Sequence, residues 1–247
     1  MPRAKSPAAT RPAQPNESLI GGLELLQALA GAPAPVGSRE MARQFDMEHT
    51  RVSRLMGTLA HMGLAEKTSE RKYAPGPGLH VLAAMSLRGS RLLTAALPRL
   101  ERLRAAEPKL SVALGVLWKR QVAYLFFAEP GAALEAAIAG RGLYAAEKSG
   151  IGLALLAART NIEVRELCRA GPGSSETLSA AGLLETLAAV RRQGYALYEG
   201  STLGVAVGEP PVAGLAFAGS IREADAPRLA ALLQESAREI ATALAGA

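Results

Sequence analysis

The stretch EHTRVSRLMGTLAHMGLAEKTSERKYAPGP, residues 48–77, decides how the first part of the chain folds. The apolar residues of its first half follow the spacing of one helix face: Val52, Leu55, Met56, Leu59 and Met62. The opposite face is mostly polar: Thr50, Ser53, Arg54, Gly57 and His61. Gly63 is expected to end this helix. The residues after it predict two short strands around a basic turn that holds Arg71 and Lys72.

Two further helices are predicted before this stretch. The first, ESLIGGLELLQALAG, carries apolar residues at helical spacing: Ile20, Leu23, Leu26 and Ala30. The second is short, and Ser38 is its expected N-cap. Asp46 then suits a tight turn, because Asp tolerates a left-handed backbone better than most residues. Three helices and a basic two-stranded ribbon predict a winged helix-turn-helix.

The polar face of the third helix suits the major groove of DNA, where side chains must form hydrogen bonds with base edges. The residues predicted to contact bases are His49, Thr50, Arg51, Ser53 and Arg54. Arg39, Arg71 and Lys72 are predicted to contact phosphates, which contribute charge rather than sequence recognition. For this segment alone, a solvated surface helix is the alternative interpretation.

The length and charge of the chain fit this interpretation. A chain of 247 residues accommodates two domains. The formal net charge is +6, and the first 90 residues hold 11 Lys and Arg against 7 Asp and Glu, so 11 − 7 = +4 of the excess lies there. This distribution permits a polyanionic partner such as double-stranded DNA.

The sequence also carries indications of its compartment. No apolar run is long enough to cross a bilayer, so no membrane partner is expected. Residues 1–16 are predicted to be a disordered basic arm, with Arg3, Lys5 and Arg11 but no hydrophobic segment typical of a signal peptide. The single cysteine, Cys168, suits a reducing environment. These features predict a cytoplasmic protein.

The fold predicted for the whole chain is α+β. Its expected parts are the arm at 1–16, a winged helix-turn-helix at 17–76, a linker helix at 77–92 and a second domain at 93–247. In the second domain strand-like and helical segments alternate, which is typical of a mixed α+β domain. Pro98 is expected to break or kink the helix that contains it.

Catalysis has little support in the sequence. The second domain holds no histidine, so neither a Ser-His-Asp triad nor a His-ligated metal site can be built within it. The segment GIGLAL lacks the third glycine of a dinucleotide-binding fingerprint. We therefore expect no enzyme activity, no cofactor and no metal. An enzyme with an incidental helix-turn-helix is the alternative, and the absence of histidine argues against it.

Residues 38–78 resemble the DNA-binding domain of the IclR family of bacterial transcriptional regulators. The residues that match its usual pattern are Met47, Thr50, Val52, Arg54, Leu55, Tyr73 and Gly76. Asp46, His49 and Arg51 depart from that pattern. The resemblance continues over residues 17–245, through the segments LSVALGVLWKRQVAYL, EKSGIGLALLA and VRRQGYALYEGSTLGVAV. It implies that the second domain is a GAF-like, effector-binding and oligomerisation domain.

The family's effectors are typically small organic acids, bound where a helix begins. The resemblance therefore implies that free backbone N–H groups from Ser149 to Gly152 hold a carboxylate. The ligand is predicted to be a small organic metabolite that is largely apolar or weakly polar. Glu147 and Leu153 depart from the family pattern, and Lys148 is expected to offset the charge of Glu147. The pocket is predicted to include Trp118, Tyr124, Phe126, Glu147, Ser149, Gly150, Ile151, Tyr198, Val205 and Val207. The alternatives are that the aromatic residues are plain core, and that the domain has lost its ligand and serves only assembly.

The resemblance also implies a homodimer or homotetramer. Dimerisation is expected through the DNA-binding domain and the linker helix, whose apolar candidates are Leu79, Leu82, Met85 and Leu87. Two DNA-binding heads would then bind a pseudo-palindromic operator, with half-site spacing fixed by the dimer.

Overall fold

The structure is a computed structural model that describes residues 14–138, 142–169 and 180–246. Residues 1–13 of the predicted basic arm, with Arg3, Lys5 and Arg11, lie outside the described residues. The chain divides into two compact units, Met1–Ser90 and Arg91–Ala247. The α+β fold with an N-terminal winged helix-turn-helix is confirmed. In the described part of the chain, no helix is both long enough and apolar enough to cross a membrane.

The first unit is built from helices and a small antiparallel wing. Its elements are α1 (Glu17–Gly31), α2 (Ser38–Gln44), α3 (His49–His61), β1 (Ala65–Lys67), β2 (Tyr73–Pro75) and α4 (Pro77–Arg88). The β1 and β2 strands pair in antiparallel register. Val36 exchanges two backbone hydrogen bonds of 2.9 Å with Tyr73, so an isolated bridge ties the segment before α2 to the wing.

The core of the first unit contains the apolar face predicted for α3. Val52, Met56 and Leu59 are buried, whereas Met62 lies just beyond the helix end and is 64% exposed. They pack with buried residues of α1, α2 and the wing: Leu25, Leu29, Met41, Ala42, Ala65 and Tyr73. The predicted stripe of α3 is therefore confirmed except at its last position.

Two turns of the first unit match the sequence prediction. Asp46 has φ 49°, and this left-handed residue allows the short connection between α2 and α3. Gly63, with φ 71°, follows the end of α3. The cap of α2 is different from the prediction. Gly37 is the N-cap and makes no side-chain hydrogen bond, so Ser38 is not the N-cap.

The apolar stripe predicted for α1 is wrong, because Ile20, Leu23 and Ala30 are exposed and Leu26 is only half-buried. Its buried residues are Gly21, Leu25 and Leu29, spaced four residues apart on the face toward α3. Leu19 and Leu23, by contrast, are 60% and 55% exposed. The small residue at position 21 brings α1 close to α3, because Met47 and Leu55 occupy the space beside it. The helix therefore has a second apolar face that this unit leaves uncovered.

The second unit is a sheet with helices on both faces. Its first elements are α5 (Arg91–Ala106), β3 (Ser111–Trp118), β4 (Gln121–Ala128), β5 (Tyr144–Ala145), α6 (Gly150–Ala157) and α7 (Asn161–Arg169). The later elements are α8 (Ala180–Gln193), β6 (Ala196–Tyr198), β7 (Thr202–Val207), β8 (Ala213–Ala218) and α9 (Ala226–Ala245). α5 runs through Pro98, so Pro98 does not break the helix, and the expected kink stays a prediction.

The described strands of the second unit form one antiparallel sheet in the order β5-β4-β3-β8-β7-β6. The α5 and α9 helices pack together on one face, and α6 packs with α8 on the other. The α6 helix is buried along its whole length. Because successive residues of a strand point to opposite faces, the register of these strands decides which side chains can meet α6.

Candidate nucleic-acid interface and effector site

The exposed residues of α3 are His49, Thr50, Arg54, Gly57, Thr58 and His61. Thr50 and Arg54 are exposed one turn apart, and Gly57 and His61 continue the same face toward the end of the helix. At 100° per residue these four positions fall within about 60° of one another. This face carries hydrogen-bonding groups of the kind that contact base edges.

His49 and Ser53 have hydrogen-bonding partners within the unit, although His49 is exposed. The Ser38 hydroxyl lies 3.0 Å from Nε2 of His49, and the Ser53 hydroxyl lies 3.4 Å from the same nitrogen. These contacts join the first residue of α2 to the first turn of α3. Each of the two predicted base-contacting side chains therefore has an intramolecular partner.

Arg51 points to α1 and away from the exposed face. Its Nη2 donates a hydrogen bond of 2.7 Å to the backbone carbonyl of Glu17, and the guanidinium lies beside Gly21. The reason is angular, since position 51 lies about 100° from Thr50 on the helix wheel. Arg51 therefore has an intramolecular partner on the flank of α3, and its predicted contact with a base stays a prediction.

The wing tip is basic and exposed. Arg71 adopts φ 60° in the turn between β1 and β2, and Thr68 closes that turn through hydrogen bonds with Arg71 and Lys72. Nζ of Lys72 lies 3.0 Å from a carboxylate oxygen of Glu70, and both side chains are largely exposed. Arg39 is also exposed, on α2. An exposed ion pair of this kind stabilises little, so Lys72 can exchange Glu70 for a phosphate.

The α4 helix has no buried residue. Leu82 and Met85 are 53% and 69% exposed, and Leu79 and Leu87 are half-buried. Val81, which the sequence prediction omits, is 57% exposed. The helix therefore presents a run of apolar side chains that its own unit does not cover.

The ten residues predicted to line an effector pocket do not face one space. Gly115 pairs with Tyr124 on β4 and with Gly214 on β8, so these three residues form one row across the sheet. A Cβ on Gly115 or Gly214 would contact Ile151 of α6, so this row faces α6. The next row pairs Phe126, Leu114, Leu215 and Val205.

That next row faces the α5 and α9 side because successive positions alternate. Phe126, Val205 and Val207 are therefore separated by the sheet from Tyr124, Ile151 and Tyr198. Trp118, at the end of β3, is 53% exposed. The predicted single pocket is wrong for the three residues on the far face.

The start of α6 is occupied by the protein itself. The Gly150 N–H donates to the Thr202 hydroxyl at 2.8 Å, and the Gly152 N–H donates to the Ser149 hydroxyl at 3.0 Å. A Cβ placed on Gly204 would stand 2.3 Å from the carbonyl carbon of Gly150, so β7 lies directly against the helix. The prediction that these N–H groups are open to a carboxylate is contradicted, because backbone and hydroxyl groups already fill the position.

Glu147 is buried just before α6 and forms an ion pair with Arg120. Nη2 of Arg120 lies 2.9 Å from Oε1 of Glu147, with 19% and 6% of the two side chains exposed. The expected partner, Lys148, is instead exposed. Burial, followed by the hydrogen bond with Glu199, raises the pKa of nearby Tyr198. Arg120 and Thr202 were not predicted as site residues from the sequence. Arg120 is 27 residues from Glu147 and Thr202 is 52 residues from Gly150, and no local pattern marks either of them.

Metal chemistry has no candidate among the described residues, where no three His, Cys, Asp or Glu side chains come together as potential ligands. The exposed polar face of α3 beside a basic wing, joined in sequence to an α+β domain, is instead the arrangement of a winged helix-turn-helix regulator.

Comparison with known proteins agrees with this class. Residues 18–69 match the model of the IclR helix-turn-helix domain. The HTH-type transcriptional regulator BhcR of Paracoccus denitrificans is 31% identical over 224 residues, which cover 83% of this chain and 80% of that protein. The chain belongs to the IclR family of transcriptional regulators.

Solved structures share the fold. An IclR family regulator from Brucella abortus aligns with a TM-score of 0.76 at 22% identity, over 92% of this chain and 91% of that chain. An IclR homologue from Microbacterium hydrocarbonoxydans, in complex with 4-hydroxybenzoate, aligns with a TM-score of 0.65 at 23% identity, over 93% and 100% of the two chains. At these identities the likeness concerns the fold alone.

Proposed function

We propose that this regulator binds a specific operator in double-stranded DNA as a homodimer or homotetramer, in the bacterial cytoplasm. The observation that carries the proposal is the uncovered face of α3, where Thr50 and Arg54 stand exposed beside the basic wing. Thr50 and Arg54 would contact base edges in the major groove. Arg39, Arg71 and Lys72 would contact phosphates, and His49 and Ser53 would hold α3 in position.

Selection from a random duplex pool, followed by binding measurements, tests this assignment. Arg54→Ala should weaken the selected duplex by about 1–3 kcal/mol and relax specificity, because a base contact is lost. Lys72→Ala should weaken all duplexes alike and reduce the salt dependence by about one phosphate contact. If both variants bind every duplex as the parent does, the proposed interface is wrong.

The apolar run on α4 supports dimerisation near the DNA-binding heads. Leu82 and Met85 are exposed in the single chain, and a second copy of α4 is the partner that would cover them. A two-fold dimer presents two α3 helices to a pseudo-palindromic operator.

We also propose that the second unit senses a small organic metabolite and alters operator binding. The IclR homologue in complex with 4-hydroxybenzoate supports this, as do the buried Glu147, its ion-pair partner Arg120 and the half-buried Tyr198 beside the start of α6. A coupling of about 1–3 kcal/mol between the metabolite and the operator is typical of such a switch. Thermal-shift measurements with aromatic and aliphatic acids, 4-hydroxybenzoate included, test it. Absence of stabilisation across the panel would count against a sensor.

A second candidate is a regulator whose second unit serves only assembly. The specific observation in its favour is that Ser149, Thr202 and Gly204 fill the start of α6. In that case operator affinity would be the same with and without every metabolite, while disruption of the second unit would still change the oligomeric state.

A further inference from the structure

Gly57 lies in the interior of α3, on its exposed face, and the unit gives no reason for a glycine there. A Cβ placed on it would meet nothing within 4 Å. Its backbone is helical, so a left-handed conformation does not require glycine. Glycine in a helix interior is less favourable than alanine, since it loses more backbone freedom on folding. Gly57 therefore lowers the stability of α3, and no contact or backbone conformation within the unit requires a glycine at this position.

Other glycines of the same unit occupy positions where a side chain would clash or where the backbone conformation favours glycine. A Cβ on Gly76 would stand 2.4 Å from the carbonyl oxygen of Gly63, and a Cβ on Gly78 would stand 2.8 Å from the same atom. Gly63 itself has φ 71°. Each of these positions is fixed by close packing or by backbone conformation, and Gly57 by neither.

The location of Gly57 suggests the missing partner. It follows Arg54 by three residues, precedes His61 by four, and lies two turns from Thr50 on the same exposed face. When a recognition helix lies in the major groove, its N-terminal residues contact base edges. Gly57 is the next outward position after Thr50 and Arg54, and a longer side chain there would stand between the helix and the groove.

We propose that Gly57 is a specificity-determining residue, whose missing side chain lets the α3 backbone approach a base edge of the operator. This inference rests on the proposed DNA-binding function. It adds a steric element to the polar contacts of Thr50 and Arg54, because only a half-site whose base edges fit the close approach is bound tightly. The alternative occupant of this space is a second copy of the chain, which the experiment separates.

The test is a pair of glycine-to-alanine variants in the full-length protein. In Gly57→Ala the new methyl group enters open space in the free protein, so the unfolding temperature should rise by a few degrees. Affinity for a duplex selected by the parent should nevertheless fall at least tenfold, and Gly57→Leu should lose more. The matched control is Gly22→Ala in α1, where the added Cβ would meet Leu55 at an ordinary 3.9 Å. It should gain thermal stability and keep the parent's affinity.

The outcomes are distinguishable. If Gly57→Ala is thermally stabilised and binds the selected duplex as the parent does, the inference is overturned. If Arg54→Ala also binds as the parent does, the proposed DNA-binding face fails with it. If Gly57→Ala binds the selected duplex less well and its sedimentation mass also changes, the substitution has altered the oligomeric state. A second copy of the chain then covers this face, and the inference is again wrong. Unchanged mass with a tenfold loss in affinity supports it.

Discussion

The buried ion pair of Arg120 and Glu147 supports a quantitative prediction about the second unit. The two groups are 2.9 Å apart, and Glu147 exposes only 6% of its side chain. Replacing Arg120 with alanine leaves a buried carboxylate without its cation, a change that costs about 3–5 kcal/mol in fully buried pairs. Arg120 is itself 19% exposed, so water can enter the vacated space and we expect a loss of about 2–3 kcal/mol.

A second substitution separates the charge effect from the loss of packing. Glu147→Gln keeps the shape and an acceptor oxygen at the same place, and should cost about 1 kcal/mol by itself. Combined with Arg120→Ala, it removes the unpaired charge. The double variant should therefore be more stable than Arg120→Ala alone, with a coupling of about 2 kcal/mol, which exceeds the cost of Glu147→Gln and lies within the range of contacting residues.

The assay is urea unfolding followed by far-UV circular dichroism, at pH 7 and one protein concentration, because oligomerisation makes stability concentration-dependent. The control is Arg222→Ala, which removes an exposed ion pair with Asp225 and should leave stability near that of the parent. Two results would refute the reasoning: a loss below about 0.5 kcal/mol for Arg120→Ala, or a double variant less stable than Arg120→Ala.

Three further predictions follow from other contacts. Hydrogen bonds from the backbone N–H and the hydroxyl of Thr160 hold the pKa of Glu163 below its ordinary value. The Glu163 carboxylate therefore stabilises the fold at a pH above its pKa in the unfolded chain. This stabilisation is lost as the pH falls through the pKa of Glu163 in the folded protein. Glu163→Ala should accordingly lower stability by about 1 kcal/mol at pH 7 and much less at pH 3, measured by thermal unfolding with Glu166→Ala as control. Glu70→Gln frees Lys72 from its carboxylate partner and should tighten binding to every duplex alike in fluorescence anisotropy; tightening restricted to the selected duplex would contradict this. Met85→Glu should lower the sedimentation mass by placing a charge on the exposed face of α4, whereas His80→Glu, also exposed on α4, should not.

The sequence predicts those parts of the fold that depend on local periodicity. The stripe of α3, the left-handed turn at Asp46 and the end at Gly63 each follow from residues within one helix or turn. The hairpin of β3 and β4 follows from two apolar runs separated by Lys119 and Arg120. In all of these cases the decisive neighbours are close in sequence.

The predicted effector site failed where distant residues decide the geometry. A register shift in the pairing of β3 with β4 lies between Leu114 and Gly115, and position 125 is skipped there. The shift changes which aromatic residue faces α6, and no local pattern announces it. Likewise, the sequence alone predicts an open helix terminus at the start of α6. In the structure Thr202 and Gly204 of β7 lie against this terminus, and they are distant from it in sequence.

Two of the predicted base-contacting residues have partners within the unit for a different reason. Arg51 and His49 are polar and lie on α3, but a polar side chain near the edge of a helix face is equally suited to join neighbouring helices. Arg51 reaches the Glu17 carbonyl and His49 meets Ser38, so both stabilise the unit. Sequence spacing places a residue on a helix face, but it cannot decide between an intramolecular and an intermolecular partner.

The most direct test of the central claim is the base preference of an Arg54 variant. Arginine pairs preferentially with guanine and glutamine with adenine in the major groove. Motifs selected from a random duplex pool by the parent and by Arg54→Gln should therefore differ at one symmetry-related position in each half-site, with guanine weakened or replaced by adenine and the other positions unchanged. Identical motifs for the two proteins would contradict the claim that the outward face of α3 reads the operator.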